Sequence, residues 1–212
     1  RFFFVGVNDE NDDCIFGEFF YDGANIEMDW IRQMPTIGGR VENPRFTMDE
    51  YGAIILVWNI FNSALAKNDK VQINKFLRSS ANTEWEWAKT ISVSGDFESI
   101  RHANVTVDVF GNYTLVSDVV ESENQRYVVI SYLKYDGTLL HQTKVDDTGN
   151  IGFQATNHAV DNSGDCHILG NRQPSDQLIS LRFDNSANIQ EDTTKQELGT
   201  YQYFDASNTL YH

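Results

Sequence analysis

Asp49, Asp108 and Asp161 each stand three residues before a glycine, Gly52, Gly111 and Gly164. Carboxylates are the groups that acid–base hydrolysis of glycosides needs, but that chemistry wants two of them in distinct environments. An aspartate that recurs at one fixed distance before Gly is more simply a turn former, its carboxylate capping backbone N–H groups. The Asp-Gly pairs Asp22-Gly23 and Asp136-Gly137 read as tight hairpin turns between apolar strands. A second acidic set, Asn8-Asp9-Glu10-Asn11-Asp12-Asp13, offers oxygen ligands from a short loop. Asp9, Asp12 and Asp13 are therefore calcium candidates. The loop lacks the turn glycine and the well-placed closing Glu of an EF-hand, so a solvated loop is the expected reading and calcium the alternative. The third set is Glu84-Trp85-Glu86-Trp87, where two indoles on one strand face could stack on a sugar and two carboxylates could bind its hydroxyls. Core packing is the competing use of these indoles, as it is for Trp30 and Trp58. Asp96 and Glu98 add further carboxylates, and nothing in the sequence singles out a catalytic pair.

Other reactive groups give less. His102, His141, His158, His167 and His212 show no metal-ligand spacing such as His-x-x-x-His. Nucleophile-elbow, phosphate-loop and dinucleotide motifs do not occur. Cys14 and Cys166 are too few for a disulfide scaffold; two buried free thiols are expected, with one long-range bridge as the other possibility. Asn104-Val105-Thr106 and Asn112-Tyr113-Thr114 match the glycosylation sequon, which leans towards an extracellular setting.

The elements that must position these groups read as strands. Asp176 to Asp184 alternates, with Ile179, Leu181 and Phe183 on one face and Ser180 and Arg182 on the other; Val71-Gln72-Ile73-Asn74 begins the same half-buried pattern. Ala53 to Trp58 and Tyr127 to Leu133 are nearly continuous apolar runs, as in strands covered on both faces. No long stretch carries a helical apolar stripe. The turns recur in phase. Tyr21-Asp22-Gly23-Ala24-Asn25, Arg78-Ser79-Ser80-Ala81-Asn82, Tyr135-Asp136-Gly137 and Phe183-Asp184-Asn185-Ser186-Ala187-Asn188 are one family of turns. Ala24, Ala81 and Thr138 succeed one another at roughly 57 residues, a period typical of repeat architectures. Asp205 with Asn208 is a degenerate fourth copy of the Asp-x-x-Gly turn.

The third copy shows one unit: a strand near Asn104 to Val107, the turn Asp108-Val109-Phe110-Gly111, a strand over Tyr113 to Val119, and a polar loop over Glu121 to Gln125. Strands over Tyr127 to Tyr135 and Leu139 to Val145 follow, joined by Asp136-Gly137. Four antiparallel strands in some fifty residues make a propeller blade. The pattern resembles the bacterial β-propeller repeats of the SBBP kind, best in Ala159-Val160-Asp161-Asn162-Ser163-Gly164 followed by His167-Ile168-Leu169-Gly170. Trp30 and Trp87, again roughly 57 residues apart, sit where such repeats often place Trp. The resemblance implies an all-β propeller of about four blade equivalents, with units near 1–41, 42–99, 100–152 and 153–199. Residues 200–212 would complete the first blade if the ring closes. A segment of a larger propeller is the alternative.

Composition bounds the partners. The 212 residues hold 31 acidic and 16 basic side chains, a formal charge of −15. That field repels phosphate backbones and anionic headgroups, so no nucleic-acid partner is expected. No run of about eighteen apolar residues occurs, so membrane insertion is not expected. Arg1-Phe2-Phe3-Phe4-Val5 lacks the parts of a signal peptide and reads as mid-strand, which suggests a mature fragment or excised segment. The expected function is a non-enzymatic binding or scaffold module outside the cell or at its surface, with carbohydrate or protein as partner and no cofactor beyond a possible calcium. A glycoside hydrolase or lyase with carboxylates in the propeller channel is the alternative.

Overall fold

The computed structural model describes residues 2–34, 38–77, 85–93, 97–122, 125–145, 153–172, 177–184 and 196–200. Every regular element among them is a strand, and the fifteen strands form four antiparallel sheets. The first sheet runs β1 (Phe2–Asn8), β2 (Asp13–Tyr21) and β3 (Ile26–Met34). The second runs β4 (Arg40–Met48), β5 (Ile54–Asn62), β6 (Lys67–Phe76) and β7 (Trp85–Ser92). The third holds β8 (Ser99–Val107), β9 (Tyr113–Ser122), β10 (Gln125–Leu133) and β11 (Leu139–Val145). The fourth holds β12 (Phe153–Val160), β13 (Cys166–Arg172), β14 (Gln177–Phe183) and β15 (Gln196–Thr200). In each sheet, strands adjacent in sequence are adjacent in space. The Asp-x-x-Gly turns join first to second strands in the three four-stranded sheets. Asp22-Gly23 joins β2 to β3, and Asp136-Gly137 joins β10 to β11.

The chain divides into two compact units, residues 1–93 with 99–105, and residues 94–98 with 106–212. In the first unit the core lies between the first two sheets. Phe16 of β2 meets Phe46 of β4 and Phe76 of β6 edge-on, each at 5.4 Å between ring centres. Cys14, Leu56, Trp58 and Ile60 complete it, all buried. In the second unit Val128, Ile130 and Tyr132 of β10 share a core with Cys166 and Ile168 of β13 and Phe183 of β14. Burying one such large side chain contributes about 1.5–3 kcal/mol.

β5 is buried from Ile54 to Ile60, and β10 from Tyr127 to Leu133, as their continuous apolar runs require. β6 departs from the half-buried pattern. Gln72 and Asn74 alternate with Val71 and Ile73 but are themselves buried, and Gln72 Nε2 donates to Asn74 Oδ1 at 3.0 Å. That bond satisfies the Asn74 carbonyl oxygen and offsets part of the cost of burying the two amides. The polar loop expected over Glu121 to Gln125 is shorter, because β9 continues to Ser122 and β10 begins at Gln125. Three amides grip the start of β8. Asn43 and Asn59 donate to the Arg101 carbonyl at 2.8 and 2.9 Å, and Asn68 donates to the Ile100 carbonyl at 3.0 Å. The turns over 78–82 and 185–188, and the closing segment 200–212 apart from Thr200, lie outside the described residues.

Candidate functional site

The Asp-x-x-Gly turn is built the same way three times. Asp49 Oδ1 accepts the Tyr51 and Ala53 N–H groups at 3.0 and 2.8 Å. Asp108 Oδ1 accepts those of Phe110 and Asn112, both at 2.8 Å. Asp161 Oδ1 accepts those of Ser163 and Asp165 at 2.8 and 3.1 Å. In each turn the glycine N–H returns to the aspartate carbonyl at 2.9–3.0 Å. Gly52, Gly111 and Gly164 have φ of 80°, 79° and 86°, the left-handed region where a Cβ is strained.

The second carboxylate oxygens are engaged as well. Asp49 Oδ2 lies 3.8 Å from Lys75 Nζ, which is 3.2 Å from Glu86 Oε2. Asp108 Oδ2 accepts Asn112 Nδ2 at 3.2 Å. Asp161 Oδ2 lies 3.0 Å from His167 Nε2 and 3.9 Å from Arg182 Nη2. Arg182 Nε also donates to Asp165 Oδ2 at 3.0 Å. The His167 hydrogen bond, helped by backbone N–H groups, holds the Asp161 carboxyl down at about 2. At the hairpin tips, Asp22 accepts Asn25 and Ala24 N–H at 2.7 and 2.8 Å, and these bonds lower its pKa. The Thr138 N–H, 2.9 Å from Asp136 Oδ1, lowers the pKa of Asp136. Gly23 and Gly137 take φ of 104° and 78° in these tips. Carboxylates so held fix backbone shape.

Two of the three Asp-x-x-Gly turns and both Asp-Gly tips present an aromatic ring, while the turn of the fourth sheet presents Ser163. The residue before the turn glycine is Tyr51 in the second sheet and Phe110 in the third, 83% and 71% exposed. The residue before each Asp-Gly tip is Tyr21 or Tyr135, 58% and 61% exposed. Tyr21 donates its hydroxyl to the Gly23 carbonyl at 2.7 Å, which folds the ring along its own turn. Tyr51 bonds the Glu50 side chain, which raises the phenol's pKa. An exposed ring beside a carboxylate can stack on the apolar face of a sugar while the carboxylate accepts its hydroxyls. The sequence draws attention to the tryptophans rather than to Tyr51 and Phe110. The available signal was their shared position, one residue before a repeated glycine.

The other candidates are dispersed. Trp58 is buried in the first unit's core, and Trp30 donates to Glu18 Oε2 at 3.0 Å while packing on Phe16. Trp87 is half-buried; Glu86 is exposed and paired with Lys75. Glu84 and the Trp85 side chain lie outside the described residues, as do Asp96 and His212. The acidic loop is a tight β1–β2 connection. Asp12 N–H donates to the Asn8 carbonyl at 2.8 Å, Glu10 N–H to Asn8 Oδ1 at 3.0 Å, and Asp13 Oδ2 accepts Gln33 Nε2 at 2.8 Å. Asp9 is exposed on the same loop. Among the described residues no three His, Cys, Asp or Glu side chains converge. His158 is buried, its Nε2 3.1 Å from the Thr114 carbonyl, and burial pushes its pKa down to about 4. Cys14 and Cys166 are free thiols, one in each unit, and burial pushes both up to about 12.

No family model and no curated protein matches the chain. Solved structures do. An exo-β-1,3-galactanase from Phanerochaete chrysosporium, crystallised with β-1,3-galactotriose, superposes with a TM-score of 0.55 at 11% identity. The match covers 92% of this chain and 47% of that one, so the chain spans about half the galactanase's length. The fold is propeller-like. A levansucrase with sucrose matches at a TM-score of 0.38 and 10% identity, over 95% of this chain and 67% of its own. The galactanase likeness supports a propeller-like all-β fold and not the SBBP repeat family in particular. No helix among the described residues is long and apolar enough to cross a membrane.

Proposed function

We propose that this chain is a non-enzymatic, carbohydrate-binding propeller module that works outside the cell, each sheet being one blade equivalent. The observation that carries the reading is Tyr51, whose ring stands exposed at a rigid turn with the Glu50 side chain bonded to it. Tyr21 offers a second exposed ring in the same unit. Rings held on stiff turns bind with little loss of rotamer freedom. The propeller-like galactanase carries β-1,3-galactotriose, which makes galactose polymers the first ligands to test. Calcium at the Asn8–Asp13 loop is no part of the binding proposed, and a protein ligand is the competing partner class. Retention of the protein on immobilised polysaccharides, compared with Tyr51→Ala, tests the reading; equal retention of both proteins overturns the role of Tyr51.

A glycoside hydrolase is the second reading. Glu18, buried on β2 with Trp30 Nε1 at 3.0 Å, is a carboxylate outside the turns, and the galactanase has a similar fold. Release of reducing sugar that Glu18→Gln abolishes without unfolding the protein would establish it.

A further inference from the structure

We propose that Asn112 is an N-glycosylation site whose first sugar covers the exposed Phe110 ring. It rests on the extracellular setting proposed above but on neither of the binding rings, Tyr51 and Tyr21. Two sequons occur, and the structure separates them. Asn104 lies inside β8 between buried Ala103 and Val105, with its Oδ1 turned to the Val105 N–H at 3.0 Å. Asn112 lies at the end of the Asp108 turn, immediately before β9. The repeat puts a buried residue at this place elsewhere, Ala53 in the second sheet and Asp165 in the fourth; Asn112 is only half-buried.

The turn also fixes what stands beside it. One oxygen, Asp108 Oδ1, accepts the N–H groups of both Phe110 and Asn112, and Gly111 reverses the chain between them at φ 79°. Phe110 is therefore held two residues before the acceptor with its ring in solvent. Tyr135 is near: a Cβ on Gly111 would lie 3.9 Å from the Tyr135 Cβ. Val109, in the Asp108 turn, and Leu140, at the start of β11, are exposed as well. An exposed apolar cluster is costly in water, and the C–H face of an N-linked sugar is a chemically matched cover for an aromatic face.

The chemistry closes with one named co-reactant, a lipid-diphosphate-linked oligosaccharide. A bond forms between Asn112 Nδ2 and C1 of the reducing-end sugar, and the C1–O bond to the diphosphate breaks. The lipid diphosphate leaves with the electron pair, and Nδ2 gives one proton to the transferase's base. The remaining Nδ2–H can continue to serve Asp108 Oδ2, 3.2 Å away. Thr114, the third sequon residue, is buried in β9, so transfer precedes closure of that strand.

The full chain, given a cleavable secretion signal and secreted from eukaryotic cells, provides the test by intact mass before and after amidase removal of N-glycans. The expected result is a glycan at Asn112, an unmodified Asn104, and loss of the glycan in Asn112→Gln and, separately, in Thr114→Val. Enzymatic deglycosylation should lower the Tm of the wild type, and that difference should shrink in Phe110→Ala. Secreted protein with the mass of the bare polypeptide, or a glycan at Asn104 alone, overturns the site. An unchanged Tm difference in Phe110→Ala overturns the covering of the ring.

Discussion

His158 is buried inside the second unit with Nε2 3.1 Å from the Thr114 carbonyl, so burial keeps the ring neutral although that contact favours the charged form, and the carbonyl fixes the proton on Nε2. Its folded pKa of about 4 lies below the unfolded value of 6.5. The unfolded chain therefore takes up a proton first as the pH falls. The stability contributed by neutral His158 is complete above pH 6.5 and drains away towards pH 4, by about 3 kcal/mol at most. Denaturant titrations across this range should show the fall in the wild type and a flatter profile in His158→Gln; parallel profiles would contradict the assignment. None of this was legible in the sequence. His158 and His167 flank one turn, yet one is buried against a neighbouring sheet's backbone and the other binds Asp161 in partial solvent. Only tertiary contact separates two such histidines.

At the scale of the element, the Asp-x-x-Gly turn was readable because its bonds are local. The carboxylate reaches N–H groups two and four residues on, so spacing alone encodes the geometry. Asp108→Ala should cost about 1 kcal/mol through loss of these caps. Gly111→Val should cost more, since φ 79° is strained for a branched residue. Equal unfolding midpoints for the wild type and both variants would show that the turn contributes nothing. The amide grip on β8 was not readable, because Asn59 lies some forty residues from the carbonyls it holds. Its Nδ2 is buried and reaches both the Ile100 and Arg101 carbonyls. Asn59→Leu leaves the latter dependent on Asn43 and should destabilise the first unit by about 1–3 kcal/mol, checked by denaturant unfolding. A loss below the resolution of that experiment would mean solvent replaces the amide. Gln72 and Asn74 show the same limit in another form. Alternation placed them correctly on the face opposite Val71 and Ile73, but period two does not say whether that opposite face meets water or another sheet.

For the whole molecule, the repeat period foretold an all-β chain of sheets in sequence order, which four separate antiparallel sheets and the galactanase likeness support. Ligand choice is not encoded in that period, because the same blade hosts many functions. It rests instead on which residues the turns leave in solvent, and the reading offered is that Tyr51 and Tyr21 meet sugar. The acidic charge of −15 fits a neutral polymer better than a sulfated or phosphorylated one, so retention should fall for anionic polysaccharides. The most direct test is affinity electrophoresis of the wild type, Tyr51→Ala and Tyr21→Ala through gels cast with neutral galactans and other polysaccharides, followed by sizing of the polymer. The account predicts retarded migration of the wild type in at least one neutral polysaccharide, weaker retardation in each variant, and polymer of unchanged length. Free migration in every gel, or polymer shortened by the wild type, would contradict it.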